Sequence, residues 1–119
     1  MLVTIKMMKI HNSIKKRINE IRLLCNKLNI QEFSLFGSTI NGEFQEGKSD
    51  IDCLVKTRSE DVYKIVLLEF ELKKMFNTKI DIFHSDWHLH PEIAEYIEKN
   101  KLIIFQTRTT NEPLSKPKA

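Results

Sequence analysis

Between residues 10 and 28 the apolar positions Ile10, Ile14, Ile18, Ile21, Cys25 and Leu28 recur every three or four residues, with Lys, Arg, Asn and Glu between them. That spacing lines one face of a helix, so a single first helix over about 10–29 is expected. Phe33-Ser34-Leu35-Phe36 is short, apolar and ended by Gly37, the mark of a strand entering a turn. A short helix over 38–44 and a loop at Glu46-Gly47-Lys48 follow. Ile51 to Val55 alternates as a second strand whose inward residues are Ile51, Cys53 and Val55. Ser59 can cap the next helix, with Glu60 and Asp61 suited to the positive end of its dipole. The helix continues through Val62, Ile65, Val66, Leu68, Glu69, Leu72 and Phe76 and stops near Asn77. Lys79 to Phe83 alternates as a third strand, Ile80 and Ile82 on one face and Asp81 on the other. Pro91 opens a short amphipathic helix carrying Ile93, Ala94 and Ile97, and Leu102 to Phe105 forms a last strand. Strands interleaved with helices predict an α/β (α+β) domain over 1–106. Thr107 to Ala119, with Pro113 and Pro117, reads as a flexible tail.

The 119 residues, 41% of them hydrophobic, suit one compact domain. No apolar run reaches the roughly 20 residues of a membrane span, and the N-terminus lacks a signal-peptide pattern, so a cytoplasmic protein is expected. Cys25 and Cys53 both fall on apolar faces, which suits reduced core thiols better than a disulfide framework. The net charge of +3 is unevenly spread: residues 1–29 hold seven Lys/Arg and one Glu, whereas residues 30–106 hold nine basic and fourteen acidic residues. Lys15-Lys16-Arg17 comes without interleaved aromatics, so it reads as a solvated helix face rather than a nucleic-acid surface.

The chemistry lies in the carboxylates. Asp50 and Asp52 alternate with inward residues and so share one strand face, and Asp81 lies on the non-core face of another strand. Crowded carboxylates repel one another and favour cations. Mg2+ resolves that repulsion well, because it binds through a few carboxylates plus substrate phosphates. If the two strands are neighbours, the three side chains converge on a site wide enough for two metal ions about 3.5 to 4 Å apart. The Gly37-Ser38 turn offers backbone N–H groups and a hydroxyl to phosphate oxygens.

Gly37-Ser38, then Ser49-Asp50-Ile51-Asp52, then Lys79-Ile80-Asp81 resembles the pattern of the DNA-polymerase-beta-like nucleotidyltransferases over roughly residues 28–105. The short chain and the Ser-Asp-Ile-Asp box are most similar to the minimal nucleotidyltransferases. The resemblance implies a mixed sheet of about four strands with helices packed mainly on one face. It also implies transfer of AMP from ATP with two Mg2+ ions. Asp50 and Asp52 would hold both metals, Asp81 would help hold the catalytic one and draw the proton from the attacking hydroxyl, and Gly37 and Ser38 would bind the triphosphate. Many minimal nucleotidyltransferases look like antitoxins paired with HEPN-domain ribonuclease toxins, so the resemblance implies a HEPN toxin as partner and acceptor, in a hetero-oligomer. Where many relatives carry Arg just after Gly-Ser and again two residues on, this chain has neutral Thr39 and Asn41. They and Lys48 remain candidate nucleotide contacts, and the loss of charge opens the alternative of a non-catalytic binding module that neutralises its partner by occlusion.

His84, His88 and His90, with Asp86, could ligate zinc, but their spacing in an expected loop favours water-facing histidines. Trp87 reads as a packing lid. Tyr63 and Tyr96 are possible AMP acceptors with no feature that singles them out.

Overall fold

The computed structural model of the chain describes residues 9–58, 62–85 and 89–107. Its helices are α1 (Asn12–Lys15), α2 (Ile18–Lys27), α3 (Ser38–Asn41), α4 (Val62–Phe76) and α5 (Pro91–Asn100). Its strands are β1 (Glu32–Phe36), β2 (Ile51–Lys56), β3 (Ile80–His84) and β4 (Leu102–Gln106). They form one mixed sheet in the order β3-β2-β1-β4, with β1 antiparallel to both β2 and β4, and β2 parallel to β3. The α/β class and the four-stranded mixed sheet are as the sequence implied.

The register explains the core. Phe33 faces Val55 and Leu35 faces Cys53 across β1–β2, while Ile51, Cys53 and Val55 align with Ile80, Ile82 and His84 across β2–β3. This face is covered by α2 and α4, which bring Ile18, Ile21, Cys25, Ile65, Leu68 and Leu72 into the interior. Burial pushes the Cys25 thiol up to about 12 and raises Cys53 as well, so both are neutral packing residues. At the β4 edge, Arg22 Nε of α2 donates to the Ile104 carbonyl at 2.9 Å. The other sheet face carries Glu32, Ser34, Phe36, Asp52, Leu54 and Asp81. One end of it is covered by α5, whose Ile97 lines a small cavity with Leu54. Among the described residues no helix is long and apolar enough to cross a membrane.

Several expectations change. The first helix is broken in two. Its stripe from Ile10 to Cys25 is buried throughout, but at Arg17 the backbone leaves the helical region (φ −110°, ψ 10°) and its N–H reaches back only three residues, to Ile14. A spacing of three or four survives such a step, so periodicity alone does not reveal it. In α4, Ile65, Leu68 and Leu72 take the core and leave Val62 and Val66 exposed. His84 lies not in a loop but at the end of β3, fully buried, with Nε2 2.7 Å from Thr57 Oγ1. His90 caps α5, its Nδ1 accepting from the Glu92 N–H. The Thr107 N–H donates to the Gln31 carbonyl at 2.9 Å, which ties this residue to the segment ahead of β1. Ser59, Glu60, Asp61, Asp86, Trp87, His88 and residues 108–119 lie outside the described residues.

Candidate functional site

The site forms where the C-terminal end of β1 meets the N-terminal ends of β2 and β3. β1 ends at Phe36, and Gly37 turns the chain into α3 with φ 73° and ψ −146°, a conformation L side chains rarely adopt. There is no room for a side chain either: a Cβ on Gly37 would sit 2.7 Å from Asp52 Oδ2. The turn and the carboxylate are therefore packed directly on each other. Across the parallel β2–β3 pair, Asp52 aligns with Asp81. The two side chains share one sheet face and bear on each other's ionisation.

The electrostatics follow from this crowding. The Asp52 carboxyl is pushed up from its ordinary 3.8 to about 6, first by partial burial, then by the charges of Asp81 and Asp50 and the hydrogen bond with Asp81. Lys79 opposes the shift. Its Nζ lies 3.9 Å from Asp50 Oδ2 and 3.7 Å from Asp81 Oδ1, so one exposed ammonium spans two of the three carboxylates. The sequence reading did not single out Lys79. A lysine two residues ahead of a candidate carboxylate on the same strand face was the available signal.

The other expected site residues are placed unequally. Ser38 is half-buried as the first residue of α3, beside Gly37. Thr39 is fully buried, and its Oγ1 donates to the Phe36 carbonyl at 2.6 Å. Its side chain braces the turn from inside and is not offered to a ligand. Asn41 is exposed, with Oδ1 accepting from the Glu43 N–H at 2.9 Å. Lys48 is exposed in the turn ahead of β2, and it is Lys79 that reaches the carboxylates. Thr78 Oγ1 donates to the Ser49 carbonyl at 3.0 Å, joining the approach to β3 to the approach to β2.

Among the described residues no three His, Cys, Asp or Glu side chains close on one point as a self-sufficient metal cage. The donor set nonetheless fits Mg2+. It is all carboxylate oxygen, its charges repel, and it already draws a cation, while Mg2+ characteristically completes its octahedron with water and substrate phosphate.

The family model described as "Polymerase beta, Nucleotidyltransferase" matches residues 16–110. The chain belongs to that nucleotidyltransferase family. Solved structures share its fold. One, provisionally described as a minimal nucleotidyltransferase, is 22% identical with a TM-score of 0.65, over 74% of this chain and 89% of that one. A toxin-antitoxin complex with AMP-PNP gives 21% and 0.63, over 78% and 76%. A complex of tri-AMPylated Shewanella oneidensis HEPN toxin with MNT antitoxin gives 18% and 0.58, over 83% and 77%. No curated protein matches by sequence. Within this nucleotidyltransferase fold, Asp52 and Asp81 lie on adjacent strands and Gly37 lies against Asp52.

Proposed function

We propose that this nucleotidyltransferase transfers AMP from ATP, with Mg2+, onto a hydroxyl of a partner protein, and that it is the antitoxin of a HEPN-type ribonuclease toxin in the cytoplasm. The observation that carries the reading is the seating of Asp52 beneath Gly37 and beside Asp81, which sets the glycine turn against a cation-seeking pair. The solved toxin-antitoxin relatives, one with AMP-PNP and one with an AMPylated toxin, support the choice of nucleotide and acceptor.

In this reading Asp50, Asp52 and Asp81 hold two Mg2+ ions, which when bound offset charge on the phosphates. The Gly37 and Ser38 backbone N–H groups and the Ser38 hydroxyl grip the triphosphate, with Asn41 and Lys48 at its rim. The acceptor hydroxyl oxygen attacks the α-phosphorus in line, and the bond to the bridging oxygen of pyrophosphate breaks. Asp81 takes the hydroxyl proton, and pyrophosphate leaves with the bonding electron pair.

The test is to incubate the full chain with Mg2+, ATP labelled at the α-phosphate and the product of the adjoining reading frame. Label should pass to the partner and fail to do so with Asp50→Ala plus Asp52→Ala. No label on the partner, with transfer intact in an active relative, would overturn the enzymatic reading. The second reading, neutralisation by occlusion, is favoured by the inward Thr39 hydroxyl and the neutral Asn41, which leave the turn without a cation of its own. It requires toxin neutralisation to survive the double substitution.

A further inference from the structure

Lys79 is set beside the carboxylates by its backbone before its charge comes into play. Its carbonyl accepts from the Ile51 N–H at 2.9 Å, and one residue earlier the Thr78 hydroxyl donates to the Ser49 carbonyl. Ile80 and Asp81 align with Ile51 and Asp52 in the parallel register, so Lys79 stands beside Asp50, one step further out. Alternation along β3 then gives Lys79 the same sheet face as Asp81.

The ammonium holds its carboxylates loosely. Its 3.7 Å to Asp81 Oδ1 and 3.9 Å to Asp50 Oδ2 exceed the roughly 2.7–2.9 Å of a charge-assisted hydrogen bond, and the side chain is 68% exposed. An ion pair of that kind contributes little to stability and gives way at small cost. It still matters to a second cation, because the two carboxylates it spans are among those that would hold Mg2+. A monovalent ion entering there exchanges one unit charge for another, whereas a divalent ion brings one more. The sheet order β3-β2-β1 also puts Lys79 on the side of Asp52 away from Gly37. It is therefore badly placed to replace the charge missing at Thr39 and Asn41, and well placed to contest the metal.

We propose that Lys79 sets the cation affinity and selectivity of the carboxylate site, as a built-in counter-ion that a divalent ion must displace from Asp50 and Asp81. The inference rests on the reading of these carboxylates as a Mg2+ site. The lysine offsets the mutual repulsion of the carboxylates, and the same positive charge weakens their hold on a metal ion.

The experiment measures Mn2+ binding to the full chain by electron paramagnetic resonance at low salt, without nucleotide and with Mg2+ as competitor. Lys79→Met removes the charge and keeps most of the side chain, and it should bind Mn2+ on the order of tenfold more tightly than wild type. Lys79→Gln should do the same, and Lys79→Arg should stay within about twofold of wild type because it keeps the charge. Adding Asp52→Ala to Lys79→Met should remove the gain. A lysine that merely braced the strands would give the opposite sign, with weaker binding in both neutral variants. Equal or weaker Mn2+ binding in Lys79→Met and Lys79→Gln would overturn the proposal, as would a gain that survives Asp52→Ala or no Mn2+ binding by any of the proteins. Label transfer from ATP is followed alongside. Tighter Mn2+ binding by the neutral variants with no transfer by the wild type would leave the role of Lys79 standing and remove the transferase reading. Transfer by the wild type with no gain in the variants would do the reverse.

Discussion

Gly37 and Asp52 act as one unit. The glycine is required twice, for its φ of 73° and because a Cβ would meet Asp52 Oδ2 at 2.7 Å. Gly37→Ala should therefore cost about 1–3 kcal/mol in a denaturant melt and also displace the carboxylate, so Mg2+–nucleotide binding should weaken with it. Asp52 carries the opposite relation of stability to function. Its folded pKa of about 6 lies above the ordinary 3.8, so the folded protein holds the proton more tightly, and stability from this group falls as pH rises from about 4 to about 6. Asp52→Asn should match wild type near pH 4 and be more stable by about 1 kcal/mol at pH 8, a figure discounted for the half-exposed position. Paired urea melts at the two pH values check it, and Mg2+ should stabilise the wild type more than the variant. The Asp pair was legible because a strand alternates. The inward Thr39 was not, because the sequence does not say which way a hydroxyl in a tight turn points. Lys79 was missed for a related reason: its role depends on the β2–β3 register, which pairs Asp52 with Asp81 and so brings Asp50 and Asp81 within its reach.

At the scale of elements, all four strands and helices α4 and α5 follow from periodicity, with strand ends shifted by one residue. The errors have physical causes. A hydrophobic stripe cannot report a backbone step that keeps its spacing, hence the break at Arg17. In α4 apolar residues occupy more than one face, so the pattern could not say that Ile65, Leu68 and Leu72 win the core over Val62 and Val66. The His-rich stretch from His84 on reads as a loop in sequence, yet His84 ends β3 on the core face, held to Thr57 at 2.7 Å. His84→Ala should accordingly destabilise the fold by about 2–4 kcal/mol, through the cavity it leaves and the lost hydrogen bond to Thr57. Zinc should leave the melting temperature of the wild type unchanged. A specific rise with zinc would show that the histidines form a metal site instead.

Across the whole molecule the sheet separates two tasks. One face belongs to α2, α4 and the apolar interior; the other holds the carboxylates at one end and α5 at the other. The α5 end is fastened by a polar network on Glu32, which accepts from Ser34 Oγ at 2.7 Å and Lys101 Nζ at 2.6 Å, while Lys101 and Lys56 also reach Glu98 at 2.9 and 3.2 Å. Burial pulls the Lys101 pKa down, but the bonds to Glu32 and Glu98 prevail and it is raised. Glu32→Ala removes the buried partner of Lys101, leaves its ammonium to the half-exposed Glu98, and takes the acceptor from the Ser34 hydroxyl, so it should cost about 2 kcal/mol in a thermal or urea melt. No sequence pattern announced this network, because Glu32 and Lys101 are 69 residues apart and meet only once β1 and β4 pair.

The central claim is that Asp50, Asp52 and Asp81, together with the Gly37 turn, form a metal-dependent nucleotide site. Titration calorimetry with Mg2+ and AMP-PNP tests it most directly. The wild type should bind the nucleotide only when Mg2+ is present, and Asp52→Ala should abolish the heat of binding while remaining folded. Equal affinity in the two proteins would contradict the account.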